Sequence, residues 1–393
     1  MSANDGSGTD PGPDHAGDRD GAGVRSPGTG ARRSAAFGGV VGVAVPASRV
    51  AREDYLVDPS RYPSEGNWAF CRFESDEVPA IRLGFELGGF NPGAEEAAPK
   101  PTYLQLHLEV MTDEGALFWL PSGQYSTADV VSDPDRMDVR FEAGGREVFR
   151  LHGWPNIACH FRSDDGDLEV NLQFDLTSVS VLPDALLPHC VFAMWESIGR
   201  AHGEARYRDR TIPLDGTVFF DHPRVIERRH AVTPRQMYVY TTLRLEDGGG
   251  LFGYYAIDTL GRPIEDYCFC VYVDSAGRGR LLSDGVLARL DLDEDDIARS
   301  WRLTWRDTEV ALEADVTVRP GPILRCWGGP NAPQTRREFG FPPLVLDATV
   351  QIHEGGATSA LRAWGLAEYF NADLAAADLA RRVQPGPPAA PAR

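Results

Sequence analysis

The chain has 393 residues, enough for about two domains of ~150 residues each, and 42% of them are hydrophobic. Its 39 basic against 58 acidic residues leave a net charge of −19, which argues against nucleic acid or an anionic membrane surface as partner. Lys100 is the only lysine and sits in a Pro/Ala/Glu-rich stretch, so neither a Schiff base nor a phosphate-gripping lysine is expected.

Residues 1–48 form the expected N-terminal tail. The stretch to about residue 36 is Gly, Pro, Ser, Asp and Arg with almost no apolar content, a composition that predicts disorder. Phe37 to Ala47 is an apolar run far short of the ~20 residues that a membrane span needs. Arg32 and Arg33 precede it, as in a twin-arginine export signal. Three glycines dilute the run and no small-residue cleavage site follows, so the expected location is cytoplasmic.

From Asn67 to Phe370 the pattern is strand after strand. Tyr103–Val110, Leu168–Phe174, Met237–Leu245, Trp301–Arg306, Val310–Val316 and Val345–Ile352 all alternate apolar with polar residues. Period two means a strand with one buried and one wet face. Turn signals at Asp164–Asp167 and Asp247–Gly250 separate the strands at the spacing of antiparallel hairpins. Only Ala372 to Val383 has helix-forming composition, so the chain is all-β with a short C-terminal helix.

The stretch from His107 to Phe118 is echoed by Thr241 to Phe252, with Asp113 and Asp247 at the same place in the turn. A second pair of hairpins, beginning at Cys159 and Leu303, follows in the same order. The echo predicts two similar antiparallel barrels in tandem, covering 49–198 and 199–371, with residues 372–393 as helix and tail.

Chemistry-bearing residues come next. Asp221 and His222 follow Phe219 and Phe220 and precede Pro223; a carboxylate and an imidazole beside aromatics can serve as proton donor and acceptor. The same two residues can equally cap a turn and bond to backbone. Tyr254, Tyr255 and Asp258 offer a phenol with a carboxylate at a rim, and Glu368 stands four residues after Trp364, with Gly365 permitting close approach of a ligand or another backbone. Trp119, Trp154, His160, Trp195, Phe220, Trp364 and Tyr369 are the candidates for contact with a ligand. The six cysteines match no zinc spacing, the histidines are far apart, and no GxGxxG follows a strand, so neither a metal nor a dinucleotide cofactor is expected. No nucleophile elbow is present either.

Three of these stretches carry a resemblance. Glu65–Phe70, Gly203–Arg224 with its Phe-Phe-Asp-His end, and Gly365–Glu368 look like the calycin-like double-barrel superfamily. That group includes carotenoid 1,2-hydratases and lipocalin-like cyclases that close rings by [4+2] addition. The resemblance implies two lipocalin-like barrels, a lipophilic polyene, polyketide or terpenoid substrate and no cofactor. Asp221 and His222 match its Asp-His element, and Tyr254 or Tyr255 with Asp258 approximates its Tyr/Asp element. Pro223–Val225 departs from the pattern where a small residue, Trp and Gly often stand, which tilts the expectation from hydration towards cyclisation. A carrier of a hydrophobic ligand is the rival from another class, and a scaffold with filled barrels a third; the oligomeric state stays open.

Overall fold

The computed structural model describes residues 33–34, 37, 40–50, 57, 62, 64–87, 104–112, 115–119, 130–133, 138–163, 166–187, 190–207, 209–228, 235–294, 297–320 and 344–371. The expected C-terminal helix lies outside them. The first sheet comprises β1 (Ala44–Pro46), β2 (Ser64–Phe73), β3 (Ala80–Leu87), β4 (Leu104–Thr112), β5 (Gly115–Trp119), β6 (Val130–Asp133) and β7 (Asp138–Ala143). It continues with β8 (Arg146–His152), β9 (Asn156–Arg162), β10 (Leu168–Val181), β11 (Ala185–Leu187), β12 (Cys190–Tyr207) and β13 (Arg210–Arg228). The second comprises β14 (Arg235–Leu245), β15 (Gly250–Asp258), β16 (Phe269–Val273), β17 (Gly279–Leu282) and β18 (Asp284–Leu292). Its remaining strands are β19 (Ala298–Arg306), β20 (Val310–Val318), β21 (Leu344–Glu354) and β22 (Ala357–Asn371).

Every pairing is antiparallel, and each sheet curls into a half or near barrel. The first runs β5-β4-β3-β2-β13-β12-β10-β9-β8-β7-β6, with β1 on β10 and β11 on β12; the second runs β17-β16-β15-β14-β22-β21-β20-β19-β18. The expected join at 198/199 falls inside β12. β12 and β13 pair from Cys190↔Arg228 to Tyr207↔Arg210, so the whole hairpin belongs to the first barrel and the second begins at Arg235. A composition shift marks loops, and here the chain crosses 198 in mid-strand with no such shift. The expected tail boundary moves as well: β1 pairs with Ser178–Ser180 of β10, Phe37 is 6% exposed and Ala47 is buried. The run buries Phe37, Val41 and Ala47 and leaves Val43 and Val45 exposed.

The pleat sorts side chains into three cores. Inside the first barrel lie Phe85, Phe141, Phe149, Phe161 and Phe174; inside the second lie Trp301, Trp305 and Tyr369. Between the barrels, the outer face of β2, β12 and β13 meets that of β14, β15 and β22 through Trp68, Phe70, Ile198, Phe219, Tyr238 and Tyr254. The described barrel interiors are thus filled by large side chains, and the ionisable groups described below stand in the seam between them.

Gly365 of β22 owes its identity to backbone approach. A Cβ there would come within 1.8 Å of the Thr242 carbonyl oxygen on β14. Gly365→Ala is therefore expected to destabilise the fold by about 1–3 kcal/mol, read as a lower urea midpoint. An unchanged midpoint would contradict this strand packing.

Candidate functional site

Four strands bring acidic side chains and a phenol together in the seam. On β12 and β13, Glu196 and Asp221 are directly opposed in register, and both point outward from the first barrel because Trp195 and His222, one residue away, point inward. On β14 and β22, Tyr240 and Glu368 are likewise opposed. The two cross-strand pairs face each other where the sheets pack. Arg82 of β3, only 4% exposed, holds Glu368 Oε1 at 3.1 Å and lies over the rings of Trp68 and Phe70 at 5.0 and 5.1 Å.

Electrostatics separates these acids into two kinds. Burial raises Glu196 from 4.5 to about 8, the Tyr240 hydrogen bond opposing and the nearby Glu368 charge adding to it. Burial likewise pushes Asp221 well above the carboxylate range, reinforced by Glu196 and Glu368 and opposed by Arg82 and the Trp68 backbone N–H. Tyr240, buried among these carboxyl groups, is raised well above 10, so its hydroxyl stays protonated and donates to Glu196 Oε1. Tyr238 donates to Glu368 Oε2 at 3.5 Å. The outcome is one carboxyl group, Glu196, that keeps its proton at neutral pH, a second, Asp221, pushed the same way by burial, and a third held in an ion pair with Arg82. Glu196 Oε2 and Asp221 Oδ1 are buried and have no hydrogen-bond partner among the described residues. An orphaned polar oxygen of this kind is costly to leave unmade, and marks where a ligand or water completes the site.

Aromatic rings line the same seam. Tyr254 packs on Tyr238 (5.4 Å, 24°), on Tyr240 (5.2 Å) and on Tyr267 (5.3 Å). Of the residues expected to carry chemistry, Asp221, Tyr254 and Glu368 thus share one place.

The others lie elsewhere. His222 is fully buried inside the first barrel, stacked on Trp195 at 5.3 Å with 6° between planes. Its Nε2 is 2.8 Å from Glu65 Oε1 and its Nδ1 2.5 Å from the Asn67 side-chain amide, while Arg224 Nε donates to the same Glu65 oxygen at 2.5 Å. Burial lowers the imidazole to about 4, with the Arg224 charge adding to the effect and Glu65 opposing it. Asp221 and His222 therefore do not act as one unit, since successive residues of a strand face opposite ways. Tyr255 is in the core of the second barrel. Asp258 is a turn residue: its Oδ1 accepts from the Leu260 and Arg262 backbone N–H groups and its Oδ2 from the Arg262 guanidinium. These bonds hold its carboxyl below the usual range.

The expected ligand contacts are dispersed. Trp195, Phe220 and the half-buried Trp154 belong to the first barrel's core, and Trp154 donates its indole N–H to the Ala47 carbonyl at 2.9 Å. Tyr369 is in the second barrel's core. Trp119 is in β5, opposite Leu108. His160 stands on the first barrel's outer surface between Glu147 (3.0 Å) and Glu169 (3.6 Å). Trp364 lines a groove of about 960 Å³ at the other end of the seam and donates to Thr217 Oγ1 at 3.3 Å. Sequence reasoning missed Arg82, Tyr240 and Tyr238 as members of the site, and noted Glu196 among apolar strand positions without giving it a role. The available signal was a charged residue at a position of otherwise apolar strand, Arg82 in Ala80–Phe85 and Glu196 in Ala193–Ile198.

Among the described residues no three His, Cys, Asp or Glu side chains gather as a metal ion would require, and no helix is long and apolar enough to cross a membrane.

No protein-family model matches the sequence, and no curated protein matches it. Solved structures do match. A Nitrosomonas europaea protein solved under the provisional name AttH superposes with a TM-score of 0.51 at 13% identity, over 81% of this chain and 94% of that one. Kievitone hydratase from Nectria haematococca gives 0.47 at 10% identity, over 81% and 93%, and the protein CghA gives 0.39 at 10%, over 79% and 88%. At 13% identity the first of these likenesses is one of fold, that of two antiparallel sheets each curled into a half or near barrel.

Proposed function

We propose that the chain adds water to, or removes it from, a carbon–carbon double bond of a lipophilic small molecule, using the acids in the seam between its barrels. One observation carries the reading: Glu196 and Asp221 are buried, each with an oxygen that has no partner among the described residues, Glu196 titrating near 8 and Asp221 raised by its burial, beside the ion-paired Glu368. Buried acids with raised pKa values are poised proton donors. In the forward direction Glu196 gives its proton to one alkene carbon, and the electron-poor carbon is faced by the rings of Tyr254, Tyr238 and Trp68. Water bonds to that carbon and loses a proton to the Glu368 carboxylate; return of the proton to Glu196 resets the site. Arg82 and Tyr240 hold the two carboxyl groups in place throughout.

Ring closure of a polyene, favoured from the departure at Pro223, requires mainly a folded substrate and one hydrogen-bond donor. Three carboxyl groups with divided protonation exceed that need, and so favour proton transfer. A carrier would have no use for carboxyl oxygens without partners in a buried seam.

The test is incubation in D2O with a panel of aryl-conjugated alkenes, enones and linear polyenes, followed by mass spectrometry. The expected product gains one water with a deuterium on carbon. A ring-closed isomer of unchanged mass, or a ligand bound and released unaltered, would overturn the proposal in favour of the cyclase or the carrier.

A further inference from the structure

The groove of about 960 Å³ at the far end of the seam is separate from the acid cluster. Thr217 precedes Asp221 by four residues on β13 and Trp364 precedes Glu368 by four on β22, a separation of about 13 Å along the strands. Phe219, Phe70 and Leu366, all buried, fill the space between.

The groove's floor carries an imbalance of charge. Arg72 is 7% exposed, and its Nη2 reaches Asp347 Oδ1 at 2.7 Å. Arg319 Nε takes the other oxygen of the same carboxylate at 2.8 Å. Two guanidinium groups thus share one anion, which is itself half exposed and screened by water. Arg72 Nε, also buried, has no hydrogen-bond partner among the described residues. Burial, and then the Arg319 charge, bring Arg72 from 12.5 down to about 10. The other charges around the groove are engaged or exposed. Arg200 forks onto Asp215 (2.8 and 2.7 Å), Arg302 forks onto Asp315 (2.8 Å twice), and Arg362 reaches Glu246 at 3.2 Å. Glu74 and Asp76 are exposed at the rim; the Glu74 charge reaches Arg72 and partly offsets Arg319, but ranks after burial, Arg319 and Asp347. Beside the two arginines stands the indole of Trp364, its orientation set by its bond to Thr217.

We propose that this groove is a second ligand site, for a small organic carboxylate with an aromatic or alkyl body. The carboxylate lies across Arg72 and Arg319, where a planar fork suits it, and the body rests on Trp364. Asp347 occupies the same guanidinium groups, so the protein holds its own competitor in the site.

That competition makes the test sharp. Benzoate titrated into the full chain by calorimetry is expected to bind, about 10-fold tighter in Asp347→Asn and at least about 10-fold weaker in Arg72→Gln. Arg319→Gln, at a half-exposed position, repeats the loss should the buried Arg72 variant unfold. Trp364→Ala weakens benzoate but not acetate, and Glu196→Gln changes neither, which separates this site from the acid cluster. Failure of wild-type protein to bind benzoate, binding indifferent to both arginine variants, or weaker binding in Asp347→Asn would overturn the proposal. So would loss of benzoate binding in Glu196→Gln with the groove variants silent.

Discussion

Glutamine in place of Glu196 is expected to cut kcat/KM for hydration by about 10² to 10⁴, the range that a positioned general acid supplies. The amide keeps the shape and still accepts the Tyr240 hydrogen bond, but it has no acidic proton to give to carbon. Because the folded chain holds a proton on Glu196 that the unfolded chain has lost at pH 7, Glu196→Gln removes that cost of folding, and the variant should be at least as stable as the wild type at that pH. Asp221→Asn tests whether the second buried acid shares the role: a comparable loss assigns it to the proton path, and a loss under about 10-fold leaves it as a neighbour that keeps Glu196 protonated. Glu368→Gln differs in kind. It takes one carboxylate from the buried Arg82 guanidinium, so it is expected to lower the urea midpoint as well as to slow turnover. The wild-type rate should fall as pH rises through about 8, where Glu196 loses its proton. A rate that instead rises through that pH, or survives in Glu196→Gln, removes Glu196 as the acid.

The all-β class was legible because period-two alternation survives in nearly every strand, and the tandem arrangement because the hairpin begun at Cys159 repeats at Leu303, as β9-β10 and β19-β20; the echo of His107–Phe118 in Thr241–Phe252 is out of step, since β14-β15 takes the place of β2-β3 in its sheet. What the sequence could not show was which outer faces meet. Phe219 and Phe220 read alike as a dipeptide, yet Phe219 lies in the seam and Phe220 in the first barrel. Asp221 and His222 part in the same way, so a residue pair that looked like one catalytic element is two unrelated ones. Alternation predicts that neighbours separate; it does not say that the polar-looking outward face will be buried by a second barrel. Glu196 and Arg82 come from β12 and β3 of the first sheet, Tyr240 and Glu368 from β14 and β22 of the second, and only sheet-on-sheet packing joins the two pairs. Asp258 was visible as a rim carboxylate, but the Arg262 that pairs with it lies in the turn after β15, and makes it a turn cap. Gly365 was recognised as a site of close approach; the partner proves to be the Thr242 backbone.

The same buried groups set how stability depends on pH, and two of them pull in opposite directions. Glu196 titrates near 4.5 when unfolded and near 8 when folded, so between those values the folded state holds a proton that the unfolded state has lost, and stability falls as pH rises. His222 titrates near 6.5 unfolded and near 4 folded, so from 4 to 6.5 the unfolded state holds the extra proton and stability rises with pH. Over the shared window, 4.5 to 6.5, the two slopes cancel, leaving the downward contribution of Asp221, whose folded value is also raised. Above 6.5 the His222 contribution is complete and the acids act alone. At about 1.4 kcal/mol per pH unit and group, Glu196 by itself removes about 2 kcal/mol between 6.5 and 8. Urea unfolding of wild-type protein should therefore give a lower midpoint at about pH 8.5 than at about pH 6.5, with Glu196→Gln losing distinctly less over the same interval. Equal losses in the two proteins would mean that Glu196 ionises like an exposed carboxylate in the folded chain. It would then hold no proton at neutral pH, and the hydration chemistry would lose its donor without any substrate having been found.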